Sequence, residues 1–231
     1  MRGMSAADAT PEALGRWLLR RDPVSNELSD AAQAELVDAA LRDGACVGAA
    51  LRAAHPALAP DRIAAMLGIR LCETAEDPWA GPFLRHADYR AEPPEIRVFR
   101  LAVAALETQV DLALRDAGPW RDHASGALAD FVRSLRGEPL ALVFIAHELY
   151  HHVEATRADA PIHRRYAVTR LRLGSWRWQA CIHALSEIAA GSCAQALLAL
   201  ACHPALLDRL ALSRFRPRAM CAVSPESGPP A

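Results

Sequence analysis

Apolar positions recur at intervals of three and four over most of this chain and alternate with polar ones in one short stretch. That pattern predicts an α+β protein, mostly helical, with a small β-sheet. "TPEALGRWLLRR" (10–21) and "SDAAQAELVDAALRDGACVGAALRAAH" (29–55) read as helices, with Leu36, Val37, Ala40 and Leu41 at helical spacing. Ser29 stands where an N-cap belongs. Pro56 and Pro60 punctuate the end of this helical N-terminal segment, residues 1–56. A short helix begins near Pro60 and stops at Gly68, with an extended segment after it. The strand signal lies in "ADYRAEPPEIRVFRLAV" (87–103), where Ile96 and Val98 alternate with Arg97 after a Pro-Pro turn.

Helical spacing resumes after residue 100. "RLAVAALETQVDLALRDAG" ends at Gly118 and "SGALADFVRSLRG" at Gly137, and Pro139 suits the first turn of "EPLALVFIAHELYHHVEATR". After a loop containing Pro161, "SWRWQACIHALSEIAAGSCAQALLALAC" reads as one long helix stopped by Pro204. A short helix near 204–213 follows, and residues 214–231 read as a flexible tail.

Composition narrows the classes of function. The chain has 231 residues, 52% apolar and 23% charged, enough for one good core. Its net charge of −1 offers no basic field for nucleic acid, and all its basic side chains are Arg. The six cysteines (46, 72, 181, 193, 202 and 221) are scattered without a C-x-x-C pair and do not suggest a disulfide framework. The N-terminus lacks a continuous apolar stretch, and no later segment reaches the length of a membrane span. The expectation is a soluble, cytoplasmic protein with no membrane or nucleic-acid partner.

The chemistry is concentrated in "IAHELYHHVE" (145–154). In a helix, residues four apart lie about 40° apart around the axis, so His147 and His151 face the same way and can bind one Zn²⁺ ion. Glu148, at about 100°, is placed to act as a base on a water beside the metal. The run "LALVFIA" before the motif would hold it in the core, where unpartnered imidazoles and carboxylates would be costly. A catalytic zinc needs a third ligand. Candidates are His152, Glu154, His163, His183, Glu187 and His203. Glu187 is the strongest, a single acid on an apolar helical face. The small residues Ala189, Ala190, Gly191 and Ser192 would let that helix approach the His147 helix closely. His183, one turn earlier, is the rival ligand or a residue that orients Glu187. His152 and Glu154 suit supporting roles.

"AHELYHHVE" (146–154) followed by "SEIAAGSCAQALL" (186–198) resembles the ImmA/IrrE family of zinc metallopeptidases, which joins a HELxHH-type helix to a later acidic helix. "RIAAMLGIRL" and "ADYRAEPPEIRVFR" resemble the short helix and strands that precede the metal helix there, so the likeness spans about residues 60–200. It implies a zincin-like metallopeptidase domain over 57–213, with the HExxH helix packed on a second metal-ligand helix. It further implies His147 and His151 as ligands, Glu148 as general base and an acid on the later helix as third ligand. The second acid of the family's E-x-E is Ala189 here, its Asn and Phe are Gly191 and Cys193, and Tyr150 replaces the more usual Gly.

The expected activity is therefore zinc-dependent hydrolysis of a protein or peptide substrate, such as a regulatory protein. Tyr166, His163 and Arg165 are candidates to stabilise the oxyanion. The 95–100 strand is expected to pair with an extended substrate. The competing expectation is a metal-stabilised regulatory or interaction protein with little turnover.

Overall fold

Caps written into the sequence start the first helices. The computed structural model describes residues 6–80, 83–115, 124–174 and 176–214. Helix α1 (Pro11–Leu19) opens on Thr10, whose hydroxyl accepts from the Ala13 N–H, and α2 (Asp30–Ala54) opens on Ser29, which does the same for Ala32. Helix α3 (Pro60–Met66) starts with proline at its first position. Gly68, at a φ of 72°, then turns the chain into strand β1 (Arg70–Thr74).

Strands β2 (Trp79–Ala80) and β3 (Phe83–Leu84) form a minimal antiparallel pair. Strands β4 (Ala87–Ala91) and β5 (Pro94–Phe99) form a hairpin, and β1 joins β5 in parallel to complete a three-stranded sheet of order β1-β5-β4. Strand β5 is the middle strand, with Ile96, Val98 and Phe99 buried. This corrects the expectation that residues 95–100 offer an edge to substrate, since both sides of β5 are already paired.

The chain continues as α4 (Arg100–Arg115), α5 (Ala124–Ser134), α6 (Ala141–Thr156) and the single turn α7 (Ile162–Arg165). Strands β6 (Val168–Leu173) and β7 (Trp176–Ala180) then pair antiparallel before α8 (Ala184–Leu198) and α9 (Ala205–Arg214). The single long helix expected over 175–202 is thus a strand followed by a shorter helix. No helix among the described residues is long and apolar enough to cross a membrane. The tail beyond residue 214 lies outside the described residues.

Helix α8 is the hub of the fold. Leu185, Ile188, Ala189, Ala190, Cys193 and Ala194 are all fully buried. On one side lies α6; on the other, α2 makes the closest approach. A Cβ added at Gly44 would overlap the Ala189 carbonyl, and one at Gly48 would overlap the Cys193 carbonyl. The Ser192 hydroxyl donates to the Leu41 carbonyl at 2.7 Å. The small residues of α8 do permit close helix packing, but the tightest contact is with α2. Leu14, Val37, Ala40 and Leu51 join the same apolar core as α6 and α8, so residue 56 marks no break in it.

Candidate metal centre

Helix α6 carries its apolar run into the core, burying Val143, Phe144, Ile145, Ala146, Leu149 and Tyr150. That anchoring presents the next turn to α8. His147 and His151 project from successive turns, and Glu187 meets them from the first turn of α8. His147 Nε2 lies 3.2 Å from Glu187 Oε2 and 3.3 Å from His151 Nε2, and His151 Nε2 lies 3.6 Å from Glu187 Oε1. Zinc–ligand bonds near 2.0–2.1 Å at tetrahedral angles separate neighbouring donors by about 3.4 Å. The two imidazole nitrogens stand at about that separation, each faces one oxygen of the Glu187 carboxylate, and this His–His–Glu donor set fits the ion. Among the described residues no fourth donor joins the group.

The electrostatics fit a cation too. Desolvation disfavours charge on His151, but Glu154, Glu187 and Glu148 outweigh it and raise its pKa to about 9. His147 is raised for the same reason: burial opposes, and Glu187 and Glu148 prevail. The Glu187 side chain is about half exposed, at 55%; loss of hydration beside its neighbours pushes it up, yet its hydrogen bond to His147 and the two imidazoles hold it down at about 2. Glu148 is buried and moves the other way, held above the ordinary carboxylate range by desolvation that the imidazoles only partly offset. Three carboxylates around two imidazoles draw in positive charge.

Behind the ligands runs a polar scaffold. Glu154, buried on the far side of His151 Nδ1 (3.8 Å), accepts from the Ile162 N–H at 2.9 Å and the Ser186 hydroxyl at 3.0 Å. With the Ser186 proton committed to Glu154, His163 Nδ1 donates to Ser186 Oγ at 2.9 Å. Asp43 of α2 accepts from the Tyr150 hydroxyl at 2.7 Å and from Arg157 at 3.0 Å and Arg165 at 2.5 Å, tying α2 to the metal helix. Tyr150, bulkier than the glycine usual in the resemblance, thus has a built-in partner.

The remaining predicted residues divide. Glu148 and His183 line a cavity beside the metal group. His183 also stacks on His163 at 5.0 Å and is not among the three clustered donors. His163 is turned to Ser186 and Glu154, and Arg165 to Asp43. Tyr166 is exposed at the end of α7, and none of the three lines the cavity. They are therefore not placed as the oxyanion donors expected of them. His152 meets the Tyr89 hydroxyl at 2.9 Å, and His203 is fully buried in backbone contacts.

His86 went unread in the sequence. It precedes β4, stacks on Phe144 at 4.4 Å, and lines the cavity with Nδ1 4.0 Å from Asp208 Oδ1. Burial pulls its pKa down to about 4, so it is neutral at neutral pH. A lone histidine in "FLRHADYR" carries no spacing signal that could have singled it out. Comparison with protein-family models, curated proteins and solved structures finds no match to this chain.

Proposed function

We propose that this chain is a zinc-dependent hydrolase of peptide bonds, similar in its chemistry to the ImmA/IrrE-type metallopeptidases. The observation that carries the reading is the cluster of donors on His147, His151 and Glu187: the two Nε2 atoms stand 3.3 Å apart, and each faces an oxygen of the Glu187 carboxylate, at 3.2 and 3.6 Å. With three protein ligands and the cavity alongside, the site has the make-up of a catalytic zinc centre rather than a closed structural one. When bound, zinc supplies Lewis acidity to a carbonyl oxygen and acidity to a water.

Glu148 removes a proton from the attacking water, and the desolvation that raises its pKa makes it a stronger base than an exposed carboxylate. The water oxygen bonds to the scissile carbonyl carbon, the C–N bond breaks, and Glu148 passes its proton to the leaving amine. Glu154 orients His151 from behind. His86, neutral and on the cavity wall, is better placed than Tyr166 or His163 to donate to a substrate oxygen. An extended substrate would lie along β4, whose outer edge is unpaired among the described residues and whose Ala87 borders the cavity.

The test is Glu148→Gln in the zinc-loaded protein. Metal content stays at one ion per chain while hydrolysis of a protein or peptide substrate falls by at least about 100-fold. A variant that kept wild-type turnover would remove Glu148 from the reaction.

A further inference from the structure

We propose that the cavity beside the metal group is a specificity pocket for a bulky apolar side chain of the peptide substrate, and that the N-terminal segment builds its wall. The inference rests on the hydrolase reading above. The cavity measures about 610 Å³, within the range of pockets that enclose whole ligands and far larger than a bound water requires. It is bordered at once by His147, Glu148 and Glu187 and by Trp17, Leu18 and Val24 from α1 and the turn after it. A side chain flanking a bond held at the metal would therefore meet this wall.

The wall is fastened to the metal-binding helix. Asp22 accepts from the Val24 N–H at 3.0 Å with one carboxylate oxygen and from the Ala184 N–H at 3.2 Å with the other. One residue thus closes the α1–α2 turn and caps the start of α8, three residues before Glu187. The buried Ser25 hydroxyl donates to the Leu19 carbonyl at 2.5 Å and holds the turn from within. A preformed wall loses little entropy on binding.

The chemistry of the lining selects the guest. Phe144 and Val143 of α6 and Ala211 of α9 continue the apolar surface begun by Trp17 and Val24. Of the polar groups there, His86 and Asp208 lie 4.0 Å apart, the Arg21 guanidinium sits over the Trp17 ring, Arg85 donates to Asp88 at 2.8 Å and His183 stacks on His163. The carbon surface left over matches a phenylalanine, leucine or methionine side chain. The family likeness begins near residue 60, so this wall belongs to the part of the chain outside it.

The test presents the zinc-loaded full chain with peptides that differ only beside the scissile bond. Cleavage next to Phe, Leu or Met is expected to exceed cleavage next to Ala by at least about 10-fold in kcat/KM. Val24→Trp, which narrows the pocket from a half-buried position, should lower that ratio, and Trp17→Ala should favour larger side chains. Cleavage without side-chain preference, or a preference that Val24→Trp leaves unchanged, overturns the pocket and spares the hydrolase. Binding supplies a second readout: phenylalanine hydroxamate should bind the zinc protein at least about 10-fold more tightly than glycine hydroxamate. If no peptide is cut, the hydrolase reading fails, and equal hydroxamate affinities then overturn the pocket as well. The wild-type hydroxamate ratio also decides the matter if either variant misfolds. Protein that takes up no zinc overturns both.

Discussion

His203 shows how a histidine near the candidate metal centre is committed elsewhere. The Ala205 N–H can only donate, so His203 Nδ1, 3.2 Å away, is the acceptor, and Nε2–H donates to the Ile188 carbonyl at 3.1 Å. Only the neutral imidazole satisfies both, and burial pulls its pKa down to about 4 from an ordinary 6.5. The folded state therefore binds fewer protons than the unfolded one below pH 6.5. The resulting stability is whole above that pH and drains away as pH falls toward 4. A shift of this size corresponds to about 3 kcal/mol. Thermal melts of the metal-free protein should thus show a falling midpoint between pH 6.5 and 4, and His203→Gln, which cannot titrate, should flatten that slope. An unchanged slope in the variant would assign the pH dependence to other groups, beginning with His86. The donor cluster was legible where spacing carries meaning: His147 and His151, four apart, share one face of a helix. Glu187 followed from an acid on an apolar face. His86 and His203 differ only in tertiary surroundings, which no spacing reveals.

At the scale of elements, the position of Glu187 depends on the contact of α2 with α8. Gly44 and Gly48 let α2 touch the α8 backbone at Ala189 and Cys193, and Ser192 pins the crossing to Leu41. Both glycines lie within helix α2, so it is the close approach, not a special backbone angle, that excludes a side chain. Gly44→Ala should cost about 1–3 kcal/mol by forcing the helices apart. On the proposed reading it should also weaken zinc binding, because α8 carries one of the candidate donors and α6 the other two. Urea unfolding and a zinc titration together check this; a Gly44→Ala protein of wild-type stability and affinity would show that the crossing relaxes freely. Most elements were readable from their caps and punctuation, as with Ser29, Pro60 and Gly68. The β6–β7 hairpin was missed although its signal is present, since Leu171-Arg172-Leu173 and Trp176-Arg177-Trp178 alternate on either side of Gly174-Ser175. Leu171 pairs with Trp178 and Leu173 with Trp176 on one face, opposite the Arg172–Arg177 pair, and all four apolar side chains are exposed. The Ala- and Leu-rich helical sequence that follows, which forms α8, drew the hairpin's second strand into one continuous helical reading.

Across the whole molecule, the metal would act as a cross-link between α6 and α8, whose other contacts reach back through Asp43 and Asp22 to α2 and the α1–α2 turn. Any ion that binds the folded state alone stabilises it by RT ln(1 + [L]/Kd), about 2.7 kcal/mol at a hundredfold excess over Kd. For a chain of this length each kcal/mol moves the midpoint by about 2–4 °C, so zinc should raise Tm by about 5–10 °C. Five free cysteines among the described residues provide a competing route for zinc, but they are dispersed and none belongs to the donor cluster. Binding through them would survive loss of the cluster. The increment should therefore vanish in His151→Ala and in Glu187→Ala and persist in Glu148→Gln, a pattern that separates the candidate ligands from Glu148, which the proposed mechanism leaves off the metal. If Glu187→Ala keeps the full increment, the third ligand lies elsewhere and the crossing of α6 with α8 is held by packing alone.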